Sequence, residues 1–307
     1  MRHTRLISII SLITLFIITF TSCELFIDPP IAPEYHLLVI SLDYKNTSTI
    51  NHLEGTIRDA KEFAKAIDEL TDQYRATLYT HMLLQESSNA DPLASDYPTI
   101  ENIRTKLSEI KSLMKETDIL IVYYAGHGVD GSGDLVVNPT AFPNNSAIYP
   151  IDSFVADIKE IKGSKVLIMD SCYSGNSVTE YPDIEDNIVQ LRESYDPSLF
   201  VISASTKNQK SYELDSYTNH VHGKFTYSLL EALGWNHNHT DEVKVDGEIT
   251  TVAGTLGSLH SMPAMNNGKI TVRSLFDNTR RILFKLDYGK QLPQTGDGPI
   301  DMVLFGR

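Results

Sequence analysis

Two cysteines in 307 residues, Cys23 and Cys172, are too few for a disulfide-stapled scaffold. Basic residues are also scarce. Lys and Arg number 26 against 40 Asp and Glu, for a formal charge of -14. A chain without a basic footprint is not expected to bind nucleic acid, because phosphate contacts are what supply that affinity. No EF-hand ligand pattern occurs, and no internal repeat. His220, His222, His237, His239 and His260 crowd one region. No His-x-x-x-His pair and no cysteine accompanies them, so they read as part of a polar insertion and not as a zinc site. Only one long apolar run exists, LISIISLITLFIITF at residues 6–20.

That run of 15 is short for a membrane span, which needs about 20 residues, and suits a secretory signal core behind the basic head MRHTR. Thr21, Ser22 and Cys23 follow it, a small-residue lead to a cysteine that resembles a bacterial lipoprotein signal. The expectation is removal of residues 1–22, lipid on Cys23, a Pro-rich tether over 23–34, and an exported, membrane-anchored protein on the periplasmic or cell-surface side. Loss of Arg2 and Arg5 with the signal takes the formal charge from -14 to -16. With Cys23 lipidated, Cys172 has no possible partner, and an unpaired thiol in an exported protein asks for a chemical reason.

From residue 35 onward, apolar runs alternate with helical patterns. HLLVISLDY, RATLYTHMLL, DILIVYY, KVLIMD and LFVISAST read as strands. Residues 54–70, 99–114, the SFVADIKEIKG segment, 223–235 and 271–286 read as helices, with Thr99 and Thr271 as N-caps. LVVNPT and AIYPIDSF read as a short β excursion, VKVDGEITT as a hairpin with an Asp-Gly turn, and IDMVLFG as a last strand. Tyr123 and Tyr124 read as strand residues packing on helices. The pattern predicts an α/β fold: a mostly parallel sheet covered on both faces, in one domain over 35–307 with an insertion near 236–268.

In such sheets ligands sit beyond the carboxyl ends of the strands. His127 ends one strand within Gly126-His-Gly128, and Cys172 ends the next within DSCYSG. On parallel neighbours they would stand about 5–10 Å apart at one edge. An imidazole beside a thiol can take its proton. The glycines would allow a sharp turn and close approach of a substrate carbonyl, and the Gly128 and Cys172 amides are natural oxyanion donors. The implied chemistry is acyl transfer through an acyl-enzyme.

YYAGHG and DSCYSG resemble the His and Cys signatures of caspase-like cysteine peptidases, especially bacterial metacaspases, and the likeness extends over about residues 35–306 through LEGTIRDAKEF, VISASTKNQKSYE and HGKFTYSLLEAL. The resemblance implies a three-layer caspase-hemoglobinase-like fold with a six-stranded sheet. It also implies His127 and Cys172 as the catalytic dyad and a peptide or protein substrate. It further implies cleavage after Arg or Lys, with Asp59 and Asp170 as the acids that bind the basic side chain. Ala125 stands where metacaspases often have serine. Asp130, Asp134 and Asp152 show no recognisable calcium-ligand spacing, so no metal or other cofactor is expected. The acidic segment 176–197 corresponds to the linker that such enzymes can self-cleave, and its single basic residue, Arg192, marks the expected cut. A non-enzymatic caspase-fold module that binds peptides and a transpeptidase using the same dyad are the rival readings.

Overall fold

The first strand, β1 (Tyr35–Leu42), has no exposed residue, because it lies in the middle of a sheet covered on both sides. The computed structural model describes residues 33–45, 47–86, 90–172, 174, 196–214, 221–235, 240, 242–257, 259, 264–296 and 298–306. The expectations for residues 1–22, Cys23, most of the tether, Gly175 and Arg192 lie outside these, as does much of the polar stretch around His220, His237, His239 and His260.

Chain order continues with α1 (Thr56–Gln73), β2 (Leu78–Gln85), α2 (Ile100–Leu113), β3 (Ile119–Ala125), β4 (Leu135–Val136), β5 (Ile148–Tyr149), α3 (Ile151–Lys159), β6 (Ser164–Asp170) and β7 (Leu199–Ser203). Then come α4 (Lys224–Ala232), β8 (Glu242–Val245), β9 (Glu248–Thr251), α5 (Val252–Leu256), β10 (Ile270–Thr271), α6 (Val272–Asp287), β11 (Gln294–Thr295) and β12 (Val303–Phe305). The main sheet runs β11-β7-β6-β3-β1-β2, parallel except for β11. This is the caspase-hemoglobinase-like architecture expected. The segment 300–306 does hold a strand, but β12 pairs with β10 outside the main sheet. The sixth strand of that sheet is β11, whose two residues give no periodicity to read.

Alternation along the strands divides the core. Leu37, Val39, Ile121, Tyr123, Val166, Ile168, Phe200 and Ile202 face one layer together with α1, α4 and α6. Leu38, Ile40, Leu120, Val122, Leu167 and Met169 face the other with α2 and α3. The caps behave as expected: Thr99 accepts from the Asn102 amide, and Thr271 and Ser274 form a reciprocal capping box. The β8–β9 hairpin turns through Asp246 and Gly247, both at positive φ. The insertion is less polar than expected. Val243, Val245, Val252, Leu256 and Ala264 are buried in the core.

Candidate active site

β3 and β6 are parallel neighbours, and Ala125 pairs with Asp170 at their carboxyl ends. The loops that follow therefore leave the sheet side by side. A cleft of about 500 Å³ opens there, lined by His127, Gly128, Asp170, Cys172, Asp59, Asn51, Ser211 and Glu213 among others. The sequence-predicted His127, Cys172, Gly128, Asp59 and Asp170 thus meet at one site.

The glycines flanking His127 serve space, and neither has a positive φ. A Cβ on Gly126 would strike the Tyr44 and Tyr124 hydroxyls at 2.6 and 2.8 Å. A Cβ on Gly128 would overlap the Cys172 carbonyl oxygen. The close approach expected for a substrate carbonyl is, in the folded chain, an approach of the His127 and Cys172 loops to each other.

His127 is held from several sides. Its amide donates to the Tyr44 hydroxyl at 2.8 Å, and the Tyr124 hydroxyl donates to its carbonyl at 2.8 Å. The Tyr44 ring lies 4.5 Å from the imidazole, centroid to centroid. Tyr44 itself sits at φ 59, a costly conformation for a bulky side chain, and it is fully buried with its amide bound to Gln85. Tyr124 is therefore more than a packing residue. His127 Nε2 lies 2.7 Å from the Asn51 carbonyl. A carbonyl can only accept, so Nε2 carries the proton and Nδ1 keeps its lone pair. Burial lowers the His127 pKa, partly offset by the Asn51 bond.

Cys172 is half-buried, and its thiol donates to the Ser211 carbonyl at 3.8 Å. Burial raises its pKa; a backbone hydrogen bond at Ser211 that favours the thiolate opposes the rise, and the Asp170 charge adds to it. Both shifts favour a neutral thiol beside a neutral imidazole in the resting site.

Asp59 and Asp170 are 1% and 8% exposed. α1 turns Asp59 into the lining of the cleft. It accepts from the Gly223 amide at 2.8 Å and lies 2.7 Å from Nδ1 of His222. Asp170 accepts from Ser211 Oγ (2.7 Å), the Thr226 hydroxyl (2.6 Å) and the Thr226 amide (3.2 Å). Burial and then the neighbouring Asp170 charge push the Asp59 pKa well up, while burial raises that of Asp170 against its hydrogen bonds. Gly223 lies between them, where a Cβ would sit 2.6 Å from one carboxylate and 3.1 Å from the other.

His222 corrects the polar-insertion reading. It is 0% exposed, beneath the cleft, with Tyr227 edge-on to its ring. Its segment resembles a family motif, but nothing in HGKFT announces a pairing 163 residues away. Asn51, Tyr44, Ser211 and Glu213 were likewise missed. Asn51 meets His127, and Ser211 meets Cys172, through a main-chain carbonyl, which carries no sequence signal. Asp134, one of the scattered acids, accepts from the Ile151 amide at the start of α3.

Comparison with known proteins places the site in a family. A profile described as "Caspase domain" matches residues 36–298. Metacaspase-7 of Arabidopsis thaliana is 25% identical over 224 residues, 69% of this chain. The chain spans about half the length of that curated relative, the matched part being 50% of it.

Proposed function

The chain belongs to the caspase-domain family, and from that premise we propose that it is a cysteine endopeptidase whose nucleophile is Cys172 and whose base is His127. The observation that carries the reading is the shared cleft at the ends of β3 and β6, with the imidazole oriented by Asn51. The thiol proton passes from Sγ to Nδ1 of His127, and the sulfur attacks the peptide carbonyl carbon. The oxyanion is received by the Gly128 and Cys172 amides. Collapse breaks the C–N bond, the amine leaves with the proton from Nδ1, and a thioester remains. Water, deprotonated by the same nitrogen, releases the acid and restores the thiol.

Asp59 and Asp170 would receive an Arg or Lys side chain before the scissile bond, since two buried carboxylates attract a cation and repel an acid. No calcium requirement is part of the proposal. Self-cleavage after Arg192, removal of residues 1–22 and lipidation of Cys23 extend the same reading to an exported, membrane-anchored peptidase. Each has its own test: N-terminal sequencing of active protein, and membrane release by Cys23→Ala.

The deciding experiment compares fluorogenic peptides with Arg, Lys or Asp before the cleaved bond, on wild type, Cys172→Ala and His127→Ala. Hydrolysis of the basic substrates should fall at least about 10³-fold in either variant. Full activity in either variant overturns the dyad, preference for Asp overturns the basic pocket, and no hydrolysis of any peptide supports a binding module. Transfer of the acyl group to an added amine in preference to water identifies a transpeptidase.

A further inference from the structure

At the opposite edge of the sheet, where β1 and β3 begin, a second cluster of ligating groups lies outside everything the peptidase reading uses. We propose that Glu34, His36 and Asp118 form a binding site for a divalent transition-metal cation of the zinc class. One carboxylate oxygen each from Glu34 and Asp118 and one ring nitrogen of His36 lie within 4.8 Å of one another.

The second, independent observation is His36 itself. It occupies a strand position whose neighbours Leu37, Leu38 and Val39 are all buried and apolar, and it is only 1% exposed. Its ring stacks on Tyr79 with centroids 5.0 Å apart. Neither Nδ1 nor Nε2 has a hydrogen-bond partner among the described residues. Buried polar atoms left in that state are costly, and a strand position could have held leucine at no such cost. A cation bound to the neutral ring uses the nitrogen lone pair and neutralises both carboxylates.

The donor set selects the class of ion. One imidazole and two carboxylates suit zinc, with a water as fourth ligand, whereas calcium and magnesium prefer oxygen alone. Lys115 already brings positive charge here, its ammonium 2.9 Å from a Glu34 oxygen. That side chain is 62% exposed and can swing into solvent when a cation arrives. The Asp118 carboxylate is oriented in advance by the Lys115 amide at 2.8 Å and the Glu34 amide at 3.3 Å. A bound cation would tie residue 34 to the start of β3, far along the strands from Cys172.

The test uses tag-free protein carrying Cys172→Ala, which removes the catalytic thiolate as a rival ligand. Zinc binding is measured by competition with a chromophoric chelator, and cobalt substitution is followed by its visible absorption. One zinc per chain is expected. His36→Leu, which restores an apolar strand residue and should fold, should weaken binding at least about 100-fold, exceeding what loss of an outer-shell partner costs. Lys115→Met should tighten it. In the Cys172-intact background, His36→Leu should leave peptide hydrolysis unchanged. Absence of zinc binding in the parent, binding retained in His36→Leu, or binding lost only with His127→Ala would each overturn the proposal.

Discussion

Burial of His127 and Cys172 has opposite consequences for two titrations. The His127 pKa is lowered from 6.5, so the imidazole stays a neutral base below the pH at which an ordinary histidine would be protonated. The acid limb of kcat/KM is expected below pH 6.5 for that reason. The Cys172 pKa is raised from 9.0, so iodoacetamide alkylation of the free protein should still be accelerating at that pH. An acid limb above 6.5, or alkylation already at its plateau by pH 8, would contradict this assignment of states. The Asp59–His222 pair invites a different measurement. His222→Leu leaves the buried Asp59 carboxyl without that hydrogen-bond partner and should cost about 1–3 kcal/mol in denaturant unfolding. Adding Asp59→Asn should then cost less than it does in wild type, because the bond the two side chains share is already gone. Additive losses in the double variant would show the two side chains to be uncoupled.

Among the elements, the loops after β3 and β6 are the tightest constraint. The Gly128 Cα faces the Cys172 carbonyl so closely that Gly128→Ala must push the His127 and Cys172 loops apart. A displacement of that size should cost about 10²-fold or more in kcat/KM while leaving the circular dichroism of the sheet intact. Near-wild-type turnover would mean that the loops tolerate separation. Alternation along β1, β3, β6 and β7 was legible because each strand is long and apolar on both faces. β11 was not, since two residues show no period and their place beside β7 is set by Gln294 and Thr295 pairing with Ser203 and Ile202.

For the whole molecule, buried acids make stability depend on pH. Glu231 in α4 is buried, and desolvation lifts its pKa from 4.5 to about 7, with the Tyr227 hydroxyl pulling the other way. A carboxyl raised in the folded state favours folding while protonated. Its contribution is complete below pH 4.5 and is lost as pH rises to about 7. Glu231→Gln should therefore flatten that part of the pH–stability profile and stabilise the protein at pH 8, by at most roughly 3 kcal/mol. A variant less stable than wild type at pH 8 would show that the carboxylate makes bonds the amide cannot.

The order of the five long parallel strands and of the helices between them, both faces of the sheet, the caps at Thr99 and Thr271, and the meeting of His127 with Cys172 were all determined in the sequence. Each depends on local period or on residues adjacent to a strand end, and parallel pairing of two such ends leaves little freedom. What only the tertiary structure decided is how those groups are held. Asn51, Tyr44, Ser211 and His222 reach the cleft from loops distant in sequence, two of them through main-chain carbonyls that every residue possesses. The purpose of Gly126 and Gly128 was decided there as well, because the atoms they avoid belong to Tyr44, Tyr124 and Cys172. The same holds for His36, whose burial without a hydrogen-bonding partner among the described residues, beside two acids, exists only once β1 and β3 lie side by side.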